Sequence, residues 1–306
     1  MTHIRSGRRW TRVALTAHAA LVYLFFYAPI VLLAVYSFSD SRVVGRWGGF
    51  TLEWYRELAA NDPVQDAIVV SLQVAAVSTV VSVVFGTLAA LALERFTFRG
   101  RRVFDALLYL PIIIPDVTMA VMMLLFFSEG LDAVDAVFGL ELSKGLGTII
   151  VSHIAFNISF VSVVVRARLR GMDGTLEDAA ADLYATRWQA FRHVTFPQIA
   201  PGVAGGALLA LTLSLDDVVI TQFVAGPGST TLPVYVFGLI RRGVTPLINA
   251  VSMVMLAASM LLVVASILVQ RRAAGVPLVA PGVESDPAAD VTHAAADGMD
   301  RGRPSR

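Results

Sequence analysis

Residues 175–202, TLEDAAADLYATRWQAFRHVTFPQIAPG, form the one long polar, helix-compatible passage inside an otherwise strongly apolar chain. Leu176, Ala179, Ala180, Leu183 and Tyr184 recur at helical spacing in its first half, and Ala190, Phe191 and Val194 do so in its second. Thr175 with Asp178, and Thr186 with Gln189, each have the spacing of a capping box, in which two side chains satisfy the free amides of a helix start. Two short helices joined by a turn are therefore expected. Pro197 and Pro201 are expected to stop the second helix and reset the chain, because proline lacks an amide hydrogen and crowds the preceding turn. Such an element, placed between apolar spans, lies flat against a membrane and offers an apolar stripe to a partner.

The composition around it fixes the setting. Of 306 residues, 56% are hydrophobic and 15% charged, and the mean hydropathy is +0.70, values of an integral membrane protein. Six apolar stretches are long enough to cross a bilayer, near Val13–Phe38, Ala67–Leu93, Ala106–Phe127, Leu146–Val165, Pro201–Val224 and Leu247–Val269. Each covers the roughly 20 residues needed for a core of about 30 Å. Lipid offers no partner to free backbone groups, so these spans must be helices. The expected fold is an all-α integral membrane protein of six transmembrane helices, with a cytoplasmic helix-turn-helix between helices four and five. Residues 1–12 form an arm, 13–272 the membrane domain, and 273–306, rich in Ala, Pro, Gly and Asp without periodicity, a disordered cytoplasmic tail.

Arginine placement orients the chain. One side holds Arg5, Arg8, Arg9 and Arg12, then Arg95, Arg99, Arg101 and Arg102, then Arg166, Arg168, Arg170, Arg187 and Arg192, then Arg271 and Arg272. The intervening loops are poorer, with Arg42, Arg46 and Arg56, then Lys144 alone, then Arg241 and Arg242. Both termini and the 175–202 element are thus expected on the cytoplasmic side of the membrane. The Arg8–Arg9 pair precedes an apolar run too long for a signal core and lacking a small-residue cleavage site, so it begins a first membrane helix.

Several polar residues lie within or beside these spans. In the outer loop, Phe50, Trp54 and Leu58 share a helical face of a short amphipathic segment, and Trp47, Trp54 and Tyr55 read as anchors at the membrane boundary. Asp116 follows Pro111 and Pro115 about ten residues into the third span, where an ionisable group faces a cavity or caps a broken helix. His153 and Asn157, four apart, share a face of the fourth span, as interhelical hydrogen-bonding pairs do. Asp216 and Asp217 lie in the fifth, about 100° apart on a helix, so that both cannot meet one partner. They either face a substrate path or a helix break, or sit at the outer interface where solvation is cheap. Acids without Arg or Lys in the span cores favour a cationic substrate over an anionic one.

The 175–202 passage resembles the coupling loop of ABC-importer permeases, with pattern E-A-A, three residues, G, nine residues, I-x-L-P. Asp178 stands for the Glu, Ala179 and Ala180 for the Ala pair, Tyr184 for the Gly, and Val194, Phe196 and Pro197 for the final element. Tyr184 is the marked departure, since a turn of positive φ favours glycine. From the second span to the sixth the chain is similar to the second permease subunit of spermidine/putrescine importers. Asp216–Asp217, Gly226–Pro227, Leu232–Pro233 and Val244, Pro246, Asn249, Ala250 carry that likeness.

The resemblance implies a binding-protein-dependent importer subunit moving polyamines by alternating access. It implies Asp178, Ala179, Ala180, Tyr184, Val194 and Pro197 as the contact to an ATPase, beside which Asp116, Asp216, Asp217, His153 and Asn157, read from their places within the spans, are the candidates along the substrate path. Its partners would be a cytosolic ABC ATPase dimer, a second permease subunit, an extracytoplasmic substrate-binding protein and membrane lipid. ATP and Mg would sit on the ATPase, with no cofactor or metal on this chain. No G-x-x-x-x-G-K-[ST], H-E-x-x-H or G-x-S-x-G occurs, and the arginine clusters are explained by topology rather than nucleic acid. Competing readings are the same architecture importing iron, sulfate, an opine or a phosphonate; a membrane aspartyl hydrolase pairing Asp116 with Asp216 or Asp217; and a channel or structural subunit.

Overall fold

A computed structural model describes residues 3–43, 45–139, 142–172, 174–242 and 246–274. Every regular element among them is helical, apart from one isolated bridge between Ser39 and Phe50. Six segments are long and apolar enough to cross a membrane: Arg12–Tyr36, Asp62–Arg95, Asp116–Phe138, Leu146–Arg170, Arg187–Asp216 and Pro246–Ala265. The six-span, all-helical expectation holds.

The centre is built from three of them, α3 (Asp62–Arg95), α6 (Leu146–Arg170) and α9 (Phe196–Asp216). Asn61 starts α3, its side chain accepting from the Val64 amide at 3.2 Å, and Pro63 sits where a missing amide hydrogen costs nothing. Glycine lets the helices approach. A Cβ on Gly86 of α3 would lie 2.7 Å from Val161 Cβ of α6, and one on Gly202 of α9 would lie 2.8 Å from Arg168 Cβ. Small residues at such crossings replace the hydrophobic drive that lipid does not supply. Hydroxyl and amide groups add cross-links: Ser78 Oγ to Ser214 Oγ at 3.1 Å, and Asn157 Nδ2 to the Ala210 carbonyl at 3.3 Å.

Two further layers cover this trio. Met119, Ala120 and Phe127 of α5 (Asp116–Phe138) and Ile220 and Val224 of α10 (Val219–Val224) enclose Val74 and Ile149. On the other flank, α2 (Glu53–Ala60) buries Trp54 and Leu58 against Leu247, Ala250 and Val251 of α12 (Pro246–Ala274), with Leu232 of α11 (Leu232–Arg242) alongside. Helix α1 (His3–Tyr36) lies at the periphery, its apolar side chains open to lipid.

Five expectations are corrected. The third span does not begin at Ala106: the chain makes α4 (Arg101–Ile113), leaves helical geometry at Ile114 and Pro115, and starts α5 at Asp116. Pro115 lacks the amide a continuous helix needs, so two helices replace one. Pro197 and Pro201 do not stop a helix; both lie within α9. A π turn, Phe191–Thr195, precedes them and closes with the Phe196 amide on the Phe191 carbonyl. That wider loop supplies the slack that a proline at 197 requires. The fifth span ends at Asp216, short of Val224, with α10 as a separate helix. Trp54 is not a boundary anchor but a core residue, 8% exposed, its Nε1 donating to the Ser39 carbonyl at 2.8 Å. The arm of residues 1–12 continues α1 from His3, and Ala273 and Ala274 still belong to α12; the rest of the expected tail, 275–306, lies outside the described residues.

Candidate functional site

The 175–202 element folds as two helices about a tight turn. Helix α7 (Thr175–Asp182) opens one residue earlier than the Thr175 box implies, with Gly174 as its N-cap, and Glu177 and Asp178 in its first turn. Acids there oppose the positive end of the helix dipole. Its end is a Schellman turn: the Tyr184 amide donates to the Ala181 carbonyl at 2.9 Å and the Ala185 amide to the Ala180 carbonyl at 3.0 Å. Tyr184 takes φ 59, alone among the described non-glycine residues. The turn thus has the geometry a glycine favours, and tyrosine adopts it with its ring 97% exposed. Helix α8 (Arg187–Ala190) begins with the expected box, Thr186 N to Gln189 Oε1 at 2.8 Å and Gln189 N to Thr186 Oγ1 at 3.3 Å.

Asp178, Ala179 and Pro197 are exposed, and Ala180 and Val194 half-buried. Leu183 (82% exposed) and Trp188 (66%) join Tyr184 in an outward apolar knob. Glu177, next to the expected Asp178, is the residue that ties the knob to the bundle. Arg95 at the end of α3 grips its carboxylate with both terminal nitrogens, and Thr195 donates to the same carboxylate. Burial pushes the Glu177 carboxyl up, but the Thr195 and Arg95 bonds outweigh it and hold the group below the ordinary carboxylate range. Sequence reading missed Glu177, Arg95 and Thr195, because a contact across 82 residues leaves no local signal.

Inside the bundle, His153 and Asn157 are both buried, as sharing one face of α6 predicts. His153 Nδ1 meets Ser214 Oγ at 2.7 Å, and Nε2 meets Thr221 Oγ1 at 3.0 Å and Asp217 Oδ2 at 3.2 Å. Asp217 also accepts from the Ile220 amide at 3.2 Å and from the Thr221 amide and hydroxyl, each at 2.7 Å. This carboxylate caps α10 at the break after α9; the adjacent acids are therefore not two points on one helix. Asp216, at the last turn of α9, is exposed and lines a cavity of about 390 Å³ with Pro233, Phe237, Ser252 and Met255. Asp116 is also exposed and opens α5 rather than lying ten residues inside a span. Among the described residues, no hydrogen bond or ion pair joins Asp116 to Asp216 or Asp217, so the shared-proton pair of an aspartyl hydrolase is not assembled.

The geometry has close relatives among transporters. Residues 82–274 match the family described as "Binding-protein-dependent transport system inner membrane component". The putrescine transport system permease protein PotI of Escherichia coli (strain K12) is 41% identical over 239 residues, which is 78% of this chain and 84% of PotI. The spermidine/putrescine transport system permease protein PotC of the same organism is 37% identical over 235 residues, 77% of this chain and 85% of PotC. Among solved structures, a bacterial ABC transporter involved in import of the acidic polysaccharide alginate aligns with a TM-score of 0.72 at 19% identity, covering 87% of this chain and 96% of that one. Helix order, six spans and sequence agree, and the chain belongs to the family of binding-protein-dependent transport system inner membrane components, as a permease subunit of an ABC importer.

Proposed function

We propose that the chain is one half of a permease pair that imports polyamines, putrescine or spermidine, across a bacterial inner membrane. Its identity to the putrescine permease over most of both chains carries this reading. The site chemistry supports it. Asp216 faces a cavity whose other walls are mostly apolar, with one aromatic ring, Phe237, and two hydroxyls, Ser252 and Ser259, a lining suited to an ammonium group followed by a methylene chain. Asp116, exposed at a helix break, supplies a second carboxylate, and acids on spanning helices face water-filled paths or partners. An anionic cargo would meet repulsion at both. Asp217, His153 and Asn157 bond within the bundle and act in this scheme as supports, holding the α9–α10 break beside Asp216.

Energy enters from outside the chain. Both termini and α7–α8 face the cytoplasm, where Asp178, Leu183, Tyr184 and Trp188 dock on an ATPase dimer that binds ATP and Mg. A second permease subunit completes the path, and a soluble binding protein delivers cargo to the opposite face. ATP binding moves α7–α8, and the Arg95–Glu177–Thr195 link passes the motion to α3 and α9, exchanging outward- and inward-facing states.

Two measurements test the scheme. Labelled putrescine and spermidine uptake into cells carrying the complete importer should saturate, compete with each other and fall at least tenfold in Asp216→Asn. Uptake of sulfate, iron or a phosphonate in place of polyamines would sink the cargo assignment. Separately, an ATPase should co-purify with the parent chain and be lost with Asp178→Arg; its retention would refute the docking surface.

A further inference from the structure

Where α3 and α6 end and α4 begins, a cavity of about 560 Å³ is lined by Arg101, Arg102, Arg166 and Arg170, with Asp105 and Gly100 among its other walls. The crossing segments of α3 and α6 stop at Arg95 and Arg170, so this cavity lies at the depth of lipid headgroups. Arg166 is 5% exposed yet reaches it. Its Nε bonds Glu94 Oε1 at 2.8 Å, its Nη1 bonds Asp105, and its guanidinium lies 5.8 Å from the Tyr109 ring centroid. Arg170 Nη2 shares the same Glu94 oxygen at 3.0 Å. Four guanidinium groups face two carboxylates, Glu94 and Asp105, which leaves two positive charges. Arg101 and Arg102 carry them, forming no ion pair among the described residues. Gly100, at φ 90, leaves open the space that a side chain would fill at the start of α4.

The neighbouring surface extends the site in the direction of the bilayer. Phe98, 42% exposed, forms part of the cavity wall and meets Phe104 of α4, 37% exposed, edge to face with ring centroids 6.1 Å apart. A basic cavity with an exposed aromatic pair at its wall has the two-part character of a phospholipid, whereas a free phosphate uses only the first part. Topology alone accounts for arginines near the membrane surface, but not for one that is buried, braced by two acids and still open to a cavity. Basic pockets between spanning helices bind anionic headgroups in this manner.

We propose that this cavity is a binding site for an anionic phospholipid, with the phosphate between Arg101, Arg102 and Arg166 and the acyl chains passing Phe98 and Phe104. The site is independent of the cargo and does not require the polyamine reading.

The test uses the importer complex purified from its membrane in mild detergent, with native mass spectrometry of added dioleoylphosphatidylglycerol or dioleoylphosphatidylcholine. The phosphatidylglycerol adduct should dominate. Arg101→Gln with Arg102→Gln should weaken it about thirtyfold, the effect of two lost surface guanidinium contacts. Arg8→Gln with Arg9→Gln removes the same charge elsewhere on the same side and should leave the adduct unchanged. Equal retention of the two lipids, equal loss in both double variants, or an unweakened adduct in the first would overturn the site. Displacement of the lipid by millimolar inorganic phosphate would reassign it to a free anion and equally overturn the proposal. Uptake of labelled polyamine by the same variants reports separately on cargo.

Discussion

Replacing Tyr184 by glycine should stabilise the α7–α8 turn. Tyr184 sits at φ 59, where an L-residue with a Cβ pays roughly 1–2 kcal/mol. Its ring is 97% exposed, so removal forfeits almost no packing. Glycine relieves the strain but loses more chain entropy on folding, about 0.5–1 kcal/mol. The net gain is about 0.5–1 kcal/mol, which corresponds to a two- to fivefold change in a local opening equilibrium at about 0.6 kcal/mol for RT. The amides at positions 184 and 185 report that opening directly, since they donate the two Schellman bonds to Ala181 and Ala180. Hydrogen–deuterium exchange of the 181–187 segment should therefore slow about two- to fivefold in Tyr184→Gly. Unchanged or faster exchange would show that the positive φ carries no strain here and would refute the reasoning. The same variant should retain less ATPase, because the exposed ring belongs to the proposed docking knob. A more stable turn that couples less well would separate shape from contact.

The remaining predictions concern the links around that turn and the bundle. Glu177 is held below the ordinary carboxylate range, so its stabilisation is full above the unfolded value of about 4.3 and disappears as pH falls through the lower folded value. The difference in Tm between the parent and Glu177→Gln should thus be constant from neutral pH to about pH 5 and shrink only below about 4; a difference that vanishes near neutrality would contradict it. Asp217→Ala should lower Tm and yield, at a cost of about 1–3 kcal/mol for each buried partner left unsatisfied, while Asp216→Asn should leave Tm unchanged and reduce uptake. The opposite pattern would exchange their roles. Gly86→Ala places a methyl 2.7 Å from Val161 Cβ and should destabilise by about 1–3 kcal/mol; pairing it with Val161→Ala should recover little, because alanine keeps that Cβ and the Ile158 carbonyl stays 3.0 Å away, and a full rescue would contradict the contact.

Hydropathy made the six spans legible because lipid forces a long apolar helix wherever the chain crosses. It did not reveal where helices break. Ala106–Phe127 reads as one stretch because Ile112, Ile113 and Ile114 keep it apolar through Pro115, although the backbone changes helix there. Likewise Val218, Val219 and Ile220 carry the apolar run past Asp217, and only the cap formed by its carboxylate shows the fifth span to have ended. The prolines at 197 and 201 have the opposite effect on the reading: they look like a double stop, but a π turn precedes Pro197 at the start of α9, and Pro201 lies inside that helix without ending it. Pairings such as His153 with Ser214, or Arg95 with Glu177, depend on which helices become neighbours, and spacing within one helix does not record that.

Val161 has a mechanical meaning. Its side chain sits over Gly86 of one helix, and its Cγ1 lies 3.2 Å from where a Cβ would stand on Gly206 of another. Sliding α6 by one residue, about 1.5 Å, would carry that side chain off both glycines and against the turns beside them. Axial slip is therefore blocked at the point where three helices meet. In the proposed transport scheme the trio would move as one body, and the freedom needed to open and close a path would fall to the segments packed around it, α4–α5 and α10–α12.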